Sequence, residues 1–325
     1  MNRLGLVIPA YNVAPALRGL LEQISDQLTD GVQVVVVDDG SADNTLAVAR
    51  QFESDSIKIL HQDNGGVGSA RNRGIEECDA EYIWFVDADD GIMPGAIATL
   101  LAAIDREPSD CYLFGLIKQR KQFKEQIVNS ESSRYDGTQT IADNFDRLFS
   151  ENLLNPLWNK VFNKDIIERA EIRFSTIPSG EDAEFILRFL SEAESLYVMT
   201  DVLYLYKLLS DTSSAHVAHP NFISDHAQMF AALMDYCQKT GAKAASIKAR
   251  WAAETTMGFR WNIYNGLKKP KTYYAFSKAA RKQQTDMDNL LSTLGHYPKI
   301  GGVRGLIQRF YFFSFLFIKF RSFHD

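Results

Sequence analysis

Val32-Gln33-Val34-Val35-Val36-Val37-Asp38-Asp39-Gly40-Ser41 decides the fold of this chain. A β-branched run with so little alternation is the pattern of a strand buried on both faces. It stops at four turn-forming residues, where Ser41 or Asp43 can cap a helix running to Phe52. Working outward, Leu4–Pro9 is a second short apolar run, ended by Pro9 and the turn Pro9-Ala10-Tyr11-Asn12, with a helical stretch from Ala14 to Leu28. Downstream, Ile57–His61 reads as a strand, Gly68–Cys78 as a helix and Tyr82–Val86 as a strand. That rhythm predicts an α/β fold, a mostly parallel sheet with helices on both faces.

The later chain is less regular. Cys111–Lys118 has strand character, Lys121–Arg134 is a polar loop or hairpin, and helical patterns return at Ile141–Glu151 and Ala183–Ala193. From Phe222 the pattern is almost wholly helical, which predicts a C-terminal helical lobe. At 325 residues, 46% hydrophobic and 23% charged, the chain has a globular composition that excludes wholesale disorder. Cys78, Cys111 and Cys237 are far apart with no CxxC pair, against a zinc site or a disulfide framework. The apolar part of the opening MNRLGLVIPAYN is too short for a signal peptide, so a cytoplasmic location is expected. Charge is divided: from Tyr236 onward there are 16 Lys+Arg and 4 Asp+Glu, against 19 and 37 before it. An acidic front suits metal and hydroxyl chemistry; a basic rear suits an anionic partner or is simply a solvated face.

Ligands of an open parallel sheet bind beyond the carboxyl ends of its strands. Three strand ends here are polar: Pro9-Ala10-Tyr11-Asn12, Asp38-Asp39-Gly40-Ser41 and Asp87-Ala88-Asp89-Asp90. Any one of them alone reads as a capped turn; together they should converge on one edge. Three carboxylates within four residues repel one another unless a cation neutralises them, and a hard Mg²⁺ or Mn²⁺ uses one or two carboxylates with substrate phosphates. Asn64-Gly65-Gly66-Val67-Gly68-Ser69-Ala70-Arg71-Asn72-Arg73-Gly74 is glycine-rich and then helical, so phosphate or ribose oxygens could meet its amides, Arg71 or Arg73. It matches neither GxGxxG nor the P-loop, so a dinucleotide or ATPase site is not indicated.

In order, Val7–Asn12, Val36–Ser41, Asn64-Gly65-Gly66 with Ala70-Arg71-Asn72, and Phe85–Asp90 resemble the family 2 glycosyltransferases, inverting enzymes of the GT-A fold. The resemblance is dense over Leu4–Pro94 and sparse to about Ser214. It implies a GT-A catalytic domain at 1–215, with a nucleotide-sugar half (1–100) and an acceptor half (101–215), followed by the helical region 216–325. Pro9, Ala10, Tyr11 and Asp39 would line the base pocket, Tyr11 by packing and Asp39 by accepting a base N–H. Arg71 would hold the nucleotide, Asp87 the ribose and metal water, and Asp89 the metal, with Asp90 assisting. Ser179–Phe185 resembles the family's Glu-Asp motif, making Asp182 the general base and Glu181 its neighbour or an acceptor contact; without that resemblance it is an acid-rich helix start. Trp158, in Leu157–Phe162, would stack on an acceptor sugar or pack in the core, and Lys160 would meet diphosphate or Glu181. Tyr204–Lys207 and Ser210–His216 resemble a loop closing over the donor, His216 touching diphosphate, although Lys207 stands where many relatives carry arginine.

Arg309–Arg321 (RFYFFSFLFIKFR) is too short to span a bilayer but suits its headgroup interface, helped by Lys299 and Arg304. The other reading is a helix docked on the protein or in a dimer. The sequence therefore predicts a metal-dependent hexosyltransferase, UDP-sugar as donor, acting on a glycan or lipid-linked acceptor in surface polysaccharide synthesis at the inner face of the cell membrane. A catalytically inactive scaffold of the same fold would be expected to lose Asp89 and Asp182, which are present. A nucleotide-sugar pyrophosphorylase would carry its glycine-rich loop at the N-terminus, and nucleic-acid motifs are lacking.

Overall fold

The computed structural model describes residues 2–120, 123–129, 131–150, 154, 156–175, 180–208, 222–242, 262, 272–275, 277–279 and 281. The chain begins β1 (Asn2–Ala10), α1 (Ala14–Ser25), β2 (Val32–Asp39), α2 (Thr45–Ala49), β3 (Ile57–Gln62), α3 (Val67–Glu77) and β4 (Ala80–Phe85). These four strands form the parallel half of the sheet, in the order β3-β2-β1-β4. Each follows the expected rhythm, with the helix after β2 shortened to α2 and a 3₁₀ turn at Arg50–Phe52.

There follow β5 (Gly91–Ile92), α4 (Ala96–Arg106), β6 (Cys111–Arg120), β7 (Phe123–Ile127), β8 (Ser133–Asp136), α5 (Thr138–Ser150), β9 (Lys160–Asn163), α6 (Lys164–Arg169), α7 (Glu181–Leu190), β10 (Ser195–Lys207) and α8 (Phe222–Thr240). Past β4 the sheet turns mixed. Strand β9 lies between β4 and β6 and is antiparallel to both, while β10 runs parallel to β6 and antiparallel to β5 and β8. The polar stretch after β6 is the hairpin alternative, β7 pairing back on β6.

Both faces are covered, for reasons visible in the alternation of β1. Leu4, Leu6 and Ile8 join α1 and α4 in one core with Val34, Val36 and Trp84. The intervening Gly5 and Val7 face α3. A Cβ added at Gly74 of α3 would collide with Val7, and one added at Gly5 with the Cys78 sulfur. The helix thus rides directly on the strand, and that close approach sets where the residues before Gly74 sit. On the same side Phe85, Phe162, Phe174 and Phe185 form a second aromatic cluster, with Phe174 stacked on Phe185 at 4.2 Å.

The three cysteines are buried thiols, and no disulfide is formed among the described residues. The contacts divide the chain into two compact units. One is Met1–Thr176 with Glu181–Leu209 and Tyr236–Ala242; the other is Ile177–Gly180, Ser210–Asp235 and Lys243–Asp325. Among the described residues no helix is long and apolar enough to cross a membrane. The aromatic segment Arg309–Arg321 lies outside the described residues, as does His216.

Gly74→Ala separates propensity from packing. In a helix interior alanine should gain about 1 kcal/mol over glycine, whereas overpacking against Val7 should cost about 1–3 kcal/mol. A net loss in urea denaturation is expected; a net gain would show that α3 does not press on β1.

Candidate functional site

The first two strand ends are laced together by side chains from their turns. Asn12, in a left-handed conformation (φ 50°), accepts hydrogen bonds at Oδ1 from the Ala42 and Asp43 amides, while its own amide donates to Ser41 Oγ at 3.0 Å. Asp43 lies one residue before Asn44, the N-cap of α2, and accepts from the Thr45 amide at 2.9 Å. Pro9 and Ala10 are buried at the end of β1 and Tyr11 is exposed at 53%, its ring open to a flat ligand.

Asp39 is buried, and its carboxylate is occupied by the chain itself. It accepts from the amides of Gly65 and Gly66 at 2.9 Å each and from Gln62 Nε2 at 2.8 Å. Two amides at the start of the glycine-rich segment, expected to face phosphate, are thus donated to Asp39. Gly66 takes a φ of 86° to do so, a conformation that glycine adopts without steric cost. Its neighbour Asp38 is fully buried and meets His61 Nδ1 at 2.7 Å.

Arg71 gathers the other carboxylates. One guanidinium nitrogen, Nη2, donates to Asp87 Oδ1 at 3.0 Å; the other, Nη1, donates to Asp182 Oδ1 at 2.5 Å and lies 3.7 Å from Glu181 Oε1. The residue is 3% exposed and lies over the Phe174 ring at 5.2 Å. Asn72 fixes that ring by a reciprocal pair with the Phe174 backbone, 2.9 and 2.8 Å. Burial works against the charge of Arg71, but Asp182, Asp87 and Glu181 outweigh it and hold the guanidinium more firmly protonated. Burial first, then Glu181 and Asp87, push the Asp182 carboxyl up to about 7 against the pull of Arg71. Arg73, the other arginine of this segment, pairs instead with Glu77 at 2.9 Å on the helix surface.

The acidic turn after β4 is divided by direction. Asp89 is exposed, and its carboxyl is raised by desolvation in the turn and by Asp87. Asp90 is 1% exposed: Tyr204 Oη donates to its Oδ2 at 2.6 Å and the Lys207 amide to its Oδ1 at 2.8 Å. Burial and the charge of Asp87 push it up to about 8. Asp90, expected to assist the metal, is thus buried where it anchors β10. Tyr204 Oη also accepts from the Asp87 amide at 3.2 Å, so one hydroxyl holds both ends of the turn. Among the described residues no three His, Cys, Asp or Glu side chains form a cage for a metal. A hard cation held by one or two carboxylates and completed by phosphates and water needs no such cage, and Asp87 with the exposed Asp89 fits that donor set.

The acceptor-side residues are more enclosed than expected. Lys160, at the start of β9, is fully buried, donating to the Pro156 carbonyl and to Asn159 Oδ1. Burial pushes its ammonium down to about 7, with Cys111 and Asp182 acting the other way. The ammonium thus meets its own loop at two points. Trp158 stacks on Tyr204 at 4.5 Å and on Tyr206 at 5.0 Å, and its carbonyl accepts from Trp84 Nε1 at 2.7 Å. Tyr204–Lys207 are the last residues of β10, not the start of a loop. Tyr206 is pushed up to about 12 by burial and by the charges of Asp90, Asp87 and Asp89. Sequence reasoning missed Asn72, Phe174 and Gln62 as supports, and left Tyr204 undirected; Asn72 lay within a quoted motif, and the others carried no local signal.

The strand ends of this mixed α/β sheet gather exposed and buried carboxylates at one edge, where open α/β sheets bind their ligands. The chain matches the model of Glycosyl transferase family 2 over residues 6–168 and belongs to that family. It is 26% identical over 206 residues to EpsJ of Bacillus subtilis (strain 168), described as an uncharacterized glycosyltransferase, covering 62% of this chain and 60% of EpsJ. The chain thus spans about three-fifths of that relative's length. It is also 26% identical over 231 residues to TarS of Staphylococcus aureus (strain MW2), a poly(ribitol-phosphate) beta-N-acetylglucosaminyltransferase, covering 68% of this chain and 39% of TarS. The crystal structure of TarS 1–349 in complex with UDP-GlcNAc shares the fold, with TM-score 0.61 at 19% identity over 91% of this chain and 93% of that one. The mannosyltransferase PcManGT of Pyrobaculum calidifontis, in complex with GDP-Man and Mn²⁺, does so at TM-score 0.52 and 16% identity, over 97% and 86%.

Tyr204→Phe keeps the ring and removes the hydroxyl that joins Asp87 to Asp90. Leaving a buried carboxylate oxygen short of a donor should cost about 1–3 kcal/mol in urea denaturation. An unchanged midpoint would show that both groups find other partners.

Proposed function

We propose that the chain is an inverting glycosyltransferase that moves a hexose from a nucleotide-sugar, a UDP-sugar first, onto a glycan acceptor in surface polysaccharide assembly. The observation that carries this reading is the cluster in which Arg71 joins Asp87, from the donor-side turn, to Asp182, at the start of α7. Such a transfer needs a base at the acceptor and a charged turn at the leaving diphosphate, and the cluster supplies both from one family's motifs. Asp182 takes the proton of the acceptor hydroxyl as its oxygen bonds to the anomeric carbon. The bond from that carbon to the diphosphate breaks on the opposite side, and the nucleoside diphosphate leaves with the electron pair.

The exposed Tyr11 ring, with Pro9 and Ala10 behind it, packs on the base of the donor. Asp39 organises Gly65 and Gly66 around the base pocket and keeps acceptor capacity for a base N–H. Asp87 and Asp89 hold Mn²⁺ or Mg²⁺ when it is bound, and that cation offsets the charge of the diphosphate. Glu181 sits beside Asp182 on the acceptor side, and Trp158 with Tyr206 offers aromatic surface to an acceptor sugar. Support for UDP comes from TarS, crystallised with UDP-GlcNAc, and for the metal from PcManGT with Mn²⁺. The segment 309–321 and the basic residues before it place the protein at an anionic membrane surface, the inner face of the cell membrane, where a lipid-linked acceptor would be met.

Thermal shift and calorimetry against UDP-, GDP-, dTDP- and CMP-sugars, with Mn²⁺ or with chelator, test the donor reading. One metal-dependent ligand is expected, and binding of none would sink it. Asp89→Ala should lose the metal-dependent part of that binding; unchanged affinity in Mn²⁺ would remove Asp89 from the metal. A base must be deprotonated to act, so with Asp182 at about 7 transfer should rise as pH climbs through that value and fall below it. Asp182→Asn should lower kcat by ~10²–10⁴ with donor affinity changed far less, while near-normal turnover would free Asp182 from the role.

A further inference from the structure

We propose that Arg71 is a positioning residue that couples the donor side to the base, sharing one buried guanidinium between Asp87 and Asp182 so that the occupant of one side alters the hold on the other. This rests on the roles given above to Asp87 and Asp182. Arg71 Nη2 donates to Asp87 and its Nη1 to Asp182, with Glu181 at 3.7 Å. The Nε atom is buried without a hydrogen-bond partner. A buried donor left unmade is costly, so the side chain is oriented by the two carboxylates and not by its own full satisfaction.

The guanidinium is also held from behind. Phe174 lies against it, pinned by Asn72, the next residue on α3. Because α3 rests on β1 through Gly74, Arg71 does not follow either carboxylate freely. One cation thus faces three carboxylates, Asp87, Glu181 and Asp182, in an aromatic enclosure where charge is poorly screened. Lys160 is a second cation acting on Asp182 from β9. When a donor and its cation engage Asp87, part of that carboxylate's demand on Arg71 is relieved, and Arg71 is left to Asp182. In the reverse direction, removing the charge of Asp182 leaves Arg71 to Asp87 and makes that carboxylate less available to a ligand. The coupling is reciprocal, as linkage requires. Lysine cannot reproduce it, since a point charge on a flexible stem lacks the fork that reaches two carboxylates at once.

The test is a double-mutant cycle on the full chain, read by calorimetry with UDP in Mn²⁺: wild type, Asp182→Asn, Arg71→Lys and the double variant. Asp182→Asn should weaken UDP binding by about fivefold, although residue 182 is not on the donor side. In the Arg71→Lys background the same change should have less than about a twofold effect. Equal effects in the two backgrounds would overturn the coupling while leaving the donor site intact. The nucleotide used is the one the donor screen selects, UDP first; a wild type that binds none of the four in Mn²⁺ removes the functional reading, and the coupling with it. A second arm leaves Arg71 untouched and covers a lysine variant that fails to fold. In urea denaturation without nucleotide, Asp182→Asn should be more destabilising in an Asp87→Asn background than alone, because Arg71 then leans on Asp182; strict additivity overturns the proposal.

Discussion

The site hangs on one buried ion cluster: the Arg71 guanidinium between Asp87 and Asp182. Burying a charge is expensive, and an ion pair inside a protein does not in general repay its desolvation. Such a cluster persists where surrounding structure holds its members in place. Here that structure is explicit. Asn72 fixes Phe174, Phe174 with Phe85 and Phe185 builds an aromatic wall, and α3 sits on β1 without a side chain at Gly74. Burial in this setting, with Glu181 and Asp87, raises Asp182 against the pull of Arg71. Fold and site are therefore linked through packing, since loosening the phenylalanine cluster would change a protonation equilibrium.

The parallel half of the sheet was legible because its signals are local. Val32–Val37 needs no partner to be read as a buried strand, and each strand end of this half carries its own turn chemistry. The other half was not, because its signals depend on contacts made far along the chain. Strand β9 has four residues and begins with lysine, yet it occupies the centre of the sheet, where Lys160 survives by donating to Pro156 and Asn159. Strand β10 is interrupted in register between Val198 and Tyr204, beside Thr200 and Asp201, so its period of two is broken where it would be sought. For the site, sequence named the right carboxylates but not their directions. Nothing in Asp87-Ala88-Asp89-Asp90 tells which acid points inward; that is decided by Tyr204 and Lys207, 114 and 117 residues away from Asp90.

That division of the acidic turn explains how three carboxylates coexist in four residues. Asp90 is withdrawn into the protein and given the Tyr204 hydroxyl and the Lys207 amide, Asp87 is given Arg71, and only Asp89 is left exposed. Each acid is matched to a different environment, so their repulsion is distributed. A turn of this kind presents a limited negative charge at the sheet edge. If a hard cation binds there, as proposed, the turn offers too few ligands to hold it tightly without a phosphate, and metal and nucleotide would bind best together.

Tyr204 carries this arrangement one step further. Its hydroxyl accepts from the Asp87 amide and donates to Asp90, while its ring stacks on Trp158, which packs in turn on Tyr206. A single buried side chain therefore joins the acidic turn to the Trp158–Tyr206 aromatic stack. Trp158 is held by Trp84 through its backbone carbonyl, so the indole is seated on the core and not on a loop. If the acceptor enters on this side, as proposed, an aromatic platform fixed in this way would orient its sugar ring at no ordering cost of its own. Because β4, β9 and β10 hold that platform, loop variation beyond them would alter which acceptor enters without moving it.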